Sequence, residues 1–429
     1  CKGLIGLGLI ALVVVSALGL WATRHYDVSL RFLVERALEK AGVDNSSLEL
    51  MLKPPQRYGS GELDGRVRSQ HPRILLPGLA GWDGVGMSSV MAERLTLFGA
   101  AGVKLKNYAP CGREHAMSYV VCWLTTGNSE EARQAIDRLM KDEIPSPNTT
   151  NNSTAWEWAL AFDLLALFPG MTQFERKTIA GRLQENLTAH LLLLDDESVS
   201  LWHGRATLAA QAWPLAMALH GEPGYEPNLT LRAQGHFRQA IGALSLTEAW
   251  PEGYNYWINS RGLGMALAAS AYVNGLEASQ FALNVRQAMR RVGLWTVYAT
   301  WPDHRIEGLG DEGPRVDLKD ETRRVIDLIA QLTGDSIFAS YSSYVEGLHR
   351  VEGYYRGYRW SFALFNDPSV PPLPGIAAGS LVGLERYLPL TELFGAGTFN
   401  LLIARTGWGP DDTLITLRSG HTFTHHGHY

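Results

Sequence analysis

The chain has 429 residues, 46% hydrophobic and 19% charged, which excludes an intrinsically disordered protein and leaves length for more than one core. A formal net charge of −5 provides no overall positive field for nucleic acid, so no nucleic-acid partner is expected and any anionic ligand must meet a local basic patch. Three cysteines exclude a disulfide-rich scaffold and supply no CxxC metal spacing; Cys111 and Cys122 fit either a disulfide in an oxidising compartment or two buried thiols.

Lys2 precedes an apolar run from Gly3 to Ala22, followed by Arg24 and His25. About 20 such residues are what a bilayer-spanning helix needs, so residues 1–25 are expected to be a membrane anchor or signal segment. Everything after it would be extracytoplasmic, in a periplasm or secretory lumen, anchored or secreted. A single apolar span excludes a membrane-embedded transporter. Sequons at Asn45, Asn148, Asn151, Asn152, Asn186 and Asn228 fit a eukaryotic lumen. Cys1 at one end and Tyr429 inside an apparent strand lead to the expectation that the sequence is a fragment of a longer chain.

Residues 26–70 read as an amphipathic helix and a Pro/Gly-rich linker, Lys53 to Gln70, and the body is expected to begin at His71-Pro72-Arg73. From there to about residue 350 helical periodicity recurs between Gly, Pro and Asn signals. It predicts helices over Ala116–Thr126, Glu131–Lys141, Ala155–Phe168, Phe174–Leu194, Ala206–His220, Leu263–Asn274 and Phe281–Tyr298. Thr172 followed by Glu175 is a capping box that marks one start. So long an array of helical hairpins cannot bury its faces as one bundle and must stack as a solenoid or close into a ring. Near residue 395 the period becomes two, predicting strands over Thr398–Arg405 and Asp412–Arg418 with Gly409-Pro-Asp-Asp between. The fold class is therefore mostly α then β: a helical domain over 71–390 and the start of an antiparallel β domain over 391–429.

Three segments carry candidate chemistry. Trp250 to Trp257 holds four aromatic rings among eight residues in a Pro/Gly loop, which suits stacking on sugar rings; alternatively the rings plug the end of the helical domain. Tyr256 is the candidate acid or base, given a nearby cation, with Tyr254 as a substitute. Trp202-His203-Gly204-Arg205 interrupts a helix with an imidazole and a cation. His421, His425, His426 and His428 crowd the last nine residues; on a strand His426 and His428 share a face, suited to one cavity or to a metal.

Together these segments resemble the heparinase II/III-like polysaccharide lyases, from about His71 onward. The carriers are His71-Pro-Arg-Ile-Leu-Leu, Trp156-Glu-Trp-Ala-Leu-Ala-Phe-Asp-Leu-Leu, Pro251-Glu-Gly-Tyr-Asn-Tyr-Trp, Ala404-Arg-Thr-Gly-Trp-Gly-Pro-Asp-Asp and His425-His-Gly-His-Tyr. The resemblance implies an incomplete (α/α) toroid followed by antiparallel sheets, with the active site in the cleft between. It implies catalytic roles for His203, Tyr256 and His426, and it matches His428 to a ligand of a structural zinc; no cofactor is required for the chemistry. Trp202, Arg205, Tyr254, Asn255, Trp257 and Arg261 are the expected substrate contacts. The expected partners are an anionic uronate polysaccharide and, through the N-terminal segment, a membrane. His203, helped by Arg205 or Arg261, would neutralise the sugar carboxylate; His426 or Tyr256 would take the C5 proton, and Tyr256 would protonate the leaving O4. The same residues are similar to those of dermatan-sulfate epimerase, so a C5 epimerase stays open beside the lyase, as does a non-catalytic polysaccharide-binding protein.

Overall fold

The computed structural model describes residues 62–103, 111, 115–147, 154–195, 201–310, 313–348 and 359–420. The expected membrane segment, the amphipathic helix and the first half of the linker, the sequons at Asn45, Asn148, Asn151 and Asn152, and the terminal histidine run lie outside the described residues. Among the described residues no helix is long and apolar enough to cross a membrane.

The protein is mostly helical, with a few small antiparallel sheets. In chain order the main elements are β1 (Arg66–Val67), α1 (Ser89–Ala100), α2 (Ala116–Thr126), α3 (Ser129–Lys141), α4 (Ala155–Leu165), α5 (Gln173–Leu194), α6 (Thr207–Leu219) and α7 (Pro227–Thr247). There follow α8 (Gly262–Gly275), β2 (Leu276–Glu277), α9 (Ala282–Tyr298), β3 (Arg305–Gly310), β4 (Gly313–Asp317), α10 (Thr322–Thr333), α11 (Ser336–Leu348), α12 (Phe362–Phe365), β5 (Thr391–Phe394), β6 (Leu401–Arg405) and β7 (Leu414–Arg418). The seven predicted helices form within a residue or two of their expected bounds, except that α4 ends at Leu165. The capping box is present, Thr172 accepting from the Glu175 N–H while Glu175 accepts from the Thr172 N–H.

Composition sorts the helices into two layers. Every residue of α4 and α6 is buried, as are nearly all of α2, α8 and α10; helices apolar nearly all round, such as α2, α6 and α8, belong inside, whereas α10 buries Arg323, Arg324 and Asp327 as well. Each is followed by a helix with a polar face, α3, α5, α7, α9 or α11. The inner helices touch in sequence, α2 to α4 to α6 to α8 to α10, and outside them α3, α5, α7 and α9 lie side by side. The segment 359–366 joins the two ends of this series. Arg94 of α1 donates to the carbonyls of Ala363 (2.9 Å), Leu364 (3.1 Å) and Asn366, while Gln331 of α10 donates to Leu364.

Two expectations need revision. Residues 64–67 belong to the body, not to a linker: β1 pairs antiparallel with β2, and the Asp64 carboxylate accepts from Tyr272 Oη, Ser279 Oγ and the Gln280 and Phe281 N–H groups at the start of α9. Inside the expected helical stretch, β3 and β4 form a hairpin with Arg305 opposite Asp317, because Gly308, Gly310, Gly313 and Pro314 disfavour helix and favour a turn. The strands β5, β6 and β7 form the C-terminal antiparallel sheet. Its inner face rests on α9: Tyr298 packs edge-on against Phe394 and Trp408, and Arg291 bridges Glu392 and Glu248. Cys111 and Cys122 form a disulfide. Asn228 is exposed in the first turn of α7, whereas the Asn186 amide donates to Pro145 O at 2.9 Å.

The entry segment is fixed by a buried polar network. Asp163 of α4, fully buried, accepts from the Arg73 and Ile74 N–H groups and lies 2.6 Å from His71 Nδ1. His71 Nε2 lies 3.3 Å from Glu222, which Arg176 of α5 grips at 2.6 and 2.7 Å. Arg73 donates to Met217 O and His220 O, carbonyls left over where α6 ends. Burial would raise the Glu222 carboxyl, but Arg176 and His71 outweigh it and hold the group at about 2 against an ordinary 4.5. Its folded value is depressed, so the unfolded chain takes up the proton first and stability falls as pH drops from about 4.5 to about 2. Denaturant unfolding across that range should show a loss of about 1–2 kcal/mol, after allowance for solvent screening, that Glu222→Gln abolishes; an unchanged acid limb in the variant would show the network does not set it.

Candidate active site

The inner helices α6 and α8 each open on a π-helical turn, Leu201–Ala206 and Trp257–Arg261. Such turns make up well under ~1% of residues and are frequent at functional sites, and these two coincide with candidate segments of the sequence. Gly262 is required where the second turn closes: a Cβ there would stand 2.6 Å from Trp257 O and 2.8 Å from its ring. Gly253, at φ +94°, turns the chain into the short helical turn Tyr254–Tyr256, a conformation only glycine adopts without strain.

A string of tryptophans ties the two turns together. Trp202 meets Trp250 edge-on at 5.3 Å, and Trp250 meets Trp257 at 5.5 Å. These rings are buried, Trp202 to 2% and Trp257 to 0% exposure, so they position the turns rather than offering a face to a sugar. The alternative reading, rings that plug the end of the helical domain, describes Trp202, Trp257 and also Tyr254. The Tyr254 side chain is wholly buried; its hydroxyl accepts from the Lys319 N–H at 2.8 Å and pairs with Thr322 Oγ1 at 2.7 Å. It anchors the loop to the start of α10 and does not substitute for Tyr256.

Tyr256 is half-buried, with the Arg261 guanidinium 4.9 Å over its ring. That is the nearby cation the sequence reading required. Burial lowers the Arg261 pKa, opposed by the charge of Glu252, whose carboxylate accepts from Trp250 Nε1 at 3.3 Å. Asn255, also half-buried, accepts from Lys319 Nζ. Arg205 is buried and its charge reaches His236, whose pKa burial lowers. The backbone of His203 sits in the first π turn, but its side chain lies outside the described residues, as do His426 and His428. The structure thus brings the His203 and Tyr256 segments together. Among the described residues no cluster of three His, Cys, Asp or Glu could hold a metal.

Two functional candidates escaped the sequence reading. Lys319 adds a cation beside Asn255. Glu307, on the β3 strand that packs against the Tyr254–Tyr256 turn, interacts with Thr416 and Arg418 on β7, and its Oε2 is buried without a hydrogen-bond partner among the described residues. Burial raises this carboxyl to about 7, against the opposing pull of Thr416 and Arg418, a value suited to proton transfer near neutrality. Its burial comes from a strand more than a hundred residues away, and nothing in its local sequence marks it. A cleft of about 350 Å³ also opens at the base of the same hairpin, lined by none of the candidate site residues but by Arg405, Trp408, Gly409 and Pro410 of the Ala404 to Asp412 segment.

The Glu307 value is raised in the folded state, so stability should be full below about pH 4.5 and decline as pH rises toward about 7. Glu307→Gln should remove a decline of about 2–3 kcal/mol between those limits in pH-dependent denaturation; a wild-type curve flat over that range would contradict the burial argument. Tyr254→Phe should cost about 1–3 kcal/mol by stranding the Lys319 N–H and Thr322, and Tyr256→Phe less than that. Urea midpoints in the reverse order would show that the two tyrosines exchange roles.

No protein-family model matches the chain, and a search of curated proteins finds none that matches it.

Proposed function

We propose that the chain is a polysaccharide lyase that cleaves uronic-acid-containing polysaccharide by β-elimination, built on an incomplete (α/α) toroid with an antiparallel β domain. The carrying observation is the pair of joined π turns, with the Arg261 cation over the half-buried Tyr256 phenol. The alternation of fully buried and amphipathic helices supports the toroid. The exposed apolar face of the C-terminal sheet, with Leu393, Ile415 and Leu417, supports a more extensive β domain.

Helix direction supports an anionic substrate. Trp156 N–H donates to Gln211 near the starts of α4 and α6, and Gly264 near the start of α8 lies against Gln211. At the other end Gly275 meets Met217 and Arg73. These three helices therefore run parallel, and their N-terminal partial positive charges gather at the end that carries the π turns.

In the proposed reaction His203, with Arg205 or Arg261, neutralises the uronate carboxylate so that charge can develop on it as C5 loses its proton. His426 or Tyr256 takes that proton. The electron pair forms the C4–C5 double bond, the C4–O4 bond breaks, and Tyr256 protonates the departing O4 to leave a 4,5-unsaturated uronate. A structural zinc at His428 belongs to the proposal, and no step runs through it. The N-terminal segment is proposed to anchor the protein outside the cytoplasm; the Cys111–Cys122 disulfide supports an oxidising compartment.

A C5 epimerase of the dermatan-sulfate epimerase type is the second reading, favoured by that disulfide together with the exposed sequon at Asn228. It shares proton removal at C5 but returns a proton to the opposite face before O4 leaves. Incubation of the protein with a panel of uronate polymers should produce the ultraviolet absorbance of the unsaturated product, and Tyr256→Phe should lower its rate at least about 100-fold. Solvent deuterium entering C5 without that absorbance would replace the lyase with the epimerase. Neither signal across the panel would leave a polysaccharide-binding protein.

A further inference from the structure

The cleft at the base of the β3–β4 hairpin lies where α9, α11 and the C-terminal sheet meet, with Trp301 and His304 after α9, Tyr344 on α11 and Arg405 on β6. Its volume, about 350 Å³, is of the size that holds a small molecule. Among the described residues no Asp or Glu lines it, and Arg405 is the one Arg or Lys there.

Arg405 occupies an inward position of β6, at 8% exposure. Its guanidinium lies 3.6 Å over Trp408, and Nη2 donates to Tyr298 O (3.1 Å) and Thr300 O (2.5 Å). Nε is buried without a hydrogen-bond partner among the described residues, and no carboxylate there forms an ion pair with the group. Asp412, the nearest acid in electrostatic reach, accepts from Thr406 Oγ1 and the Gly409 N–H instead. Burial lowers the pKa of Arg405 to about 10, which leaves it charged at neutral pH. A cation held by neutral groups and opening on a cavity is arranged for an anion.

The mouth of the cleft adds groups suited to hydroxyls. His304 sits there in the left-handed region at φ +64°, with Nδ1 2.8 Å from the Tyr344 hydroxyl. Its Nε2 makes no hydrogen bond among the described residues. The wall of the cleft connects through buried hydroxyls toward the Tyr254–Tyr256 turn. Thr300 in its wall is 2.6 Å from the Tyr341 hydroxyl, and Tyr341 is in electrostatic reach of Tyr254, two residues from the candidate phenol.

We infer that this cleft is a second saccharide subsite that takes one acidic sugar unit, with Arg405 binding its acid group and His304 and Tyr344 its hydroxyls. The choice of a sugar rests on the proposed uronate chemistry, whereas the choice of an anion rests on the cleft alone. A polymer chain would then be held at two places, and the acid group in the cleft would set which unit reaches Tyr256.

The test uses the full chain carrying Tyr256→Phe, so that binding is read without turnover. Calorimetric titration compares a uronate tetrasaccharide with the same oligosaccharide reduced to its neutral, carboxyl-free form. The acidic ligand should bind more tightly, and about tenfold of its preference is the contribution of the one charge-assisted contact in the cleft. Ser380→Trp fills the cleft from its half-buried rim and should remove that tenfold share, as should Arg405→Met, which keeps an apolar stem on Trp408. Because Arg405→Met removes two internal hydrogen bonds, Ser380→Trp keeps the test decisive if the first variant misfolds. A preference left undiminished by the filled cleft overturns the subsite, even if the wild-type protein forms unsaturated product. A preference reduced about tenfold in Ser380→Trp, with no product from wild type on any polymer, upholds the subsite and removes the lyase. No binding of either oligosaccharide overturns both.

Discussion

The buried carboxylate of Asp163 is the constraint on which the helical body depends. A fully desolvated charge is tolerable only when its lone pairs are filled, and here the Arg73 and Ile74 N–H groups and the His71 ring do so. Those three residues precede the first helix, yet Asp163 lies in α4 and Glu222 just beyond α6. Satisfying the two carboxylates therefore places the entry segment, α4, α5 and α6 in one arrangement. Arg73 extends the restraint by occupying the last carbonyls of α6. A hydrophobic interface alone would let these helices slide by a turn at modest cost. The network penalises any slide by exposing a buried charge to an apolar surrounding.

The opposite ends of the same helices carry the candidate chemistry. The network closes the C-terminal end of α6, and the π turn opens its N-terminal end, about 20 Å away for a helix of this length. Irregular backbone at one end needs a rigid frame at the other. The Trp202–Trp250–Trp257 string provides the local part of that frame, and Tyr254, bonded to Lys319 and Thr322, the rest. Tyr256 is thus a half-exposed phenol next to a buried one, and the difference between them lies in tertiary contacts.

The helices were legible because each has a clear period, and the capping box at Thr172 fixed one boundary through local geometry alone. The hairpin over 305–317 was missed although its glycines and Pro314 were visible, since the surrounding helical pattern dominated a short interruption. The aromatic loop was recognised as special for a partly mistaken reason. Trp and Tyr advertise stacking surfaces, yet whether a ring faces solvent depends on what packs against it, and that is decided by α6, α8 and α10. Arg261 and Tyr256, five residues apart, meet across a π turn, which reading that stretch as a loop did not foresee. Glu307 and Arg405 were not foreseen either, because each owes its burial to a distant element.

The distribution of charge links these observations. Acidic residues outnumber basic ones, 43 to 38, but Arg261, Lys319, Arg405 and Arg418 all belong to the loop, hairpin and sheet around one end of the inner helices. The parallel helix dipoles add partial positive charge at that end. Under the proposed function, a locally positive end on an overall negative protein would draw a polyanion to one place. Cations pack against aromatic faces there, the buried Arg405 on Trp408 and the half-buried Arg418 on Phe399, which favours their charged forms. The large aromatic content therefore acts mostly indirectly. It holds the positive groups of the candidate site in a low-dielectric setting, where the acid group of the proposed substrate would gain most from meeting them.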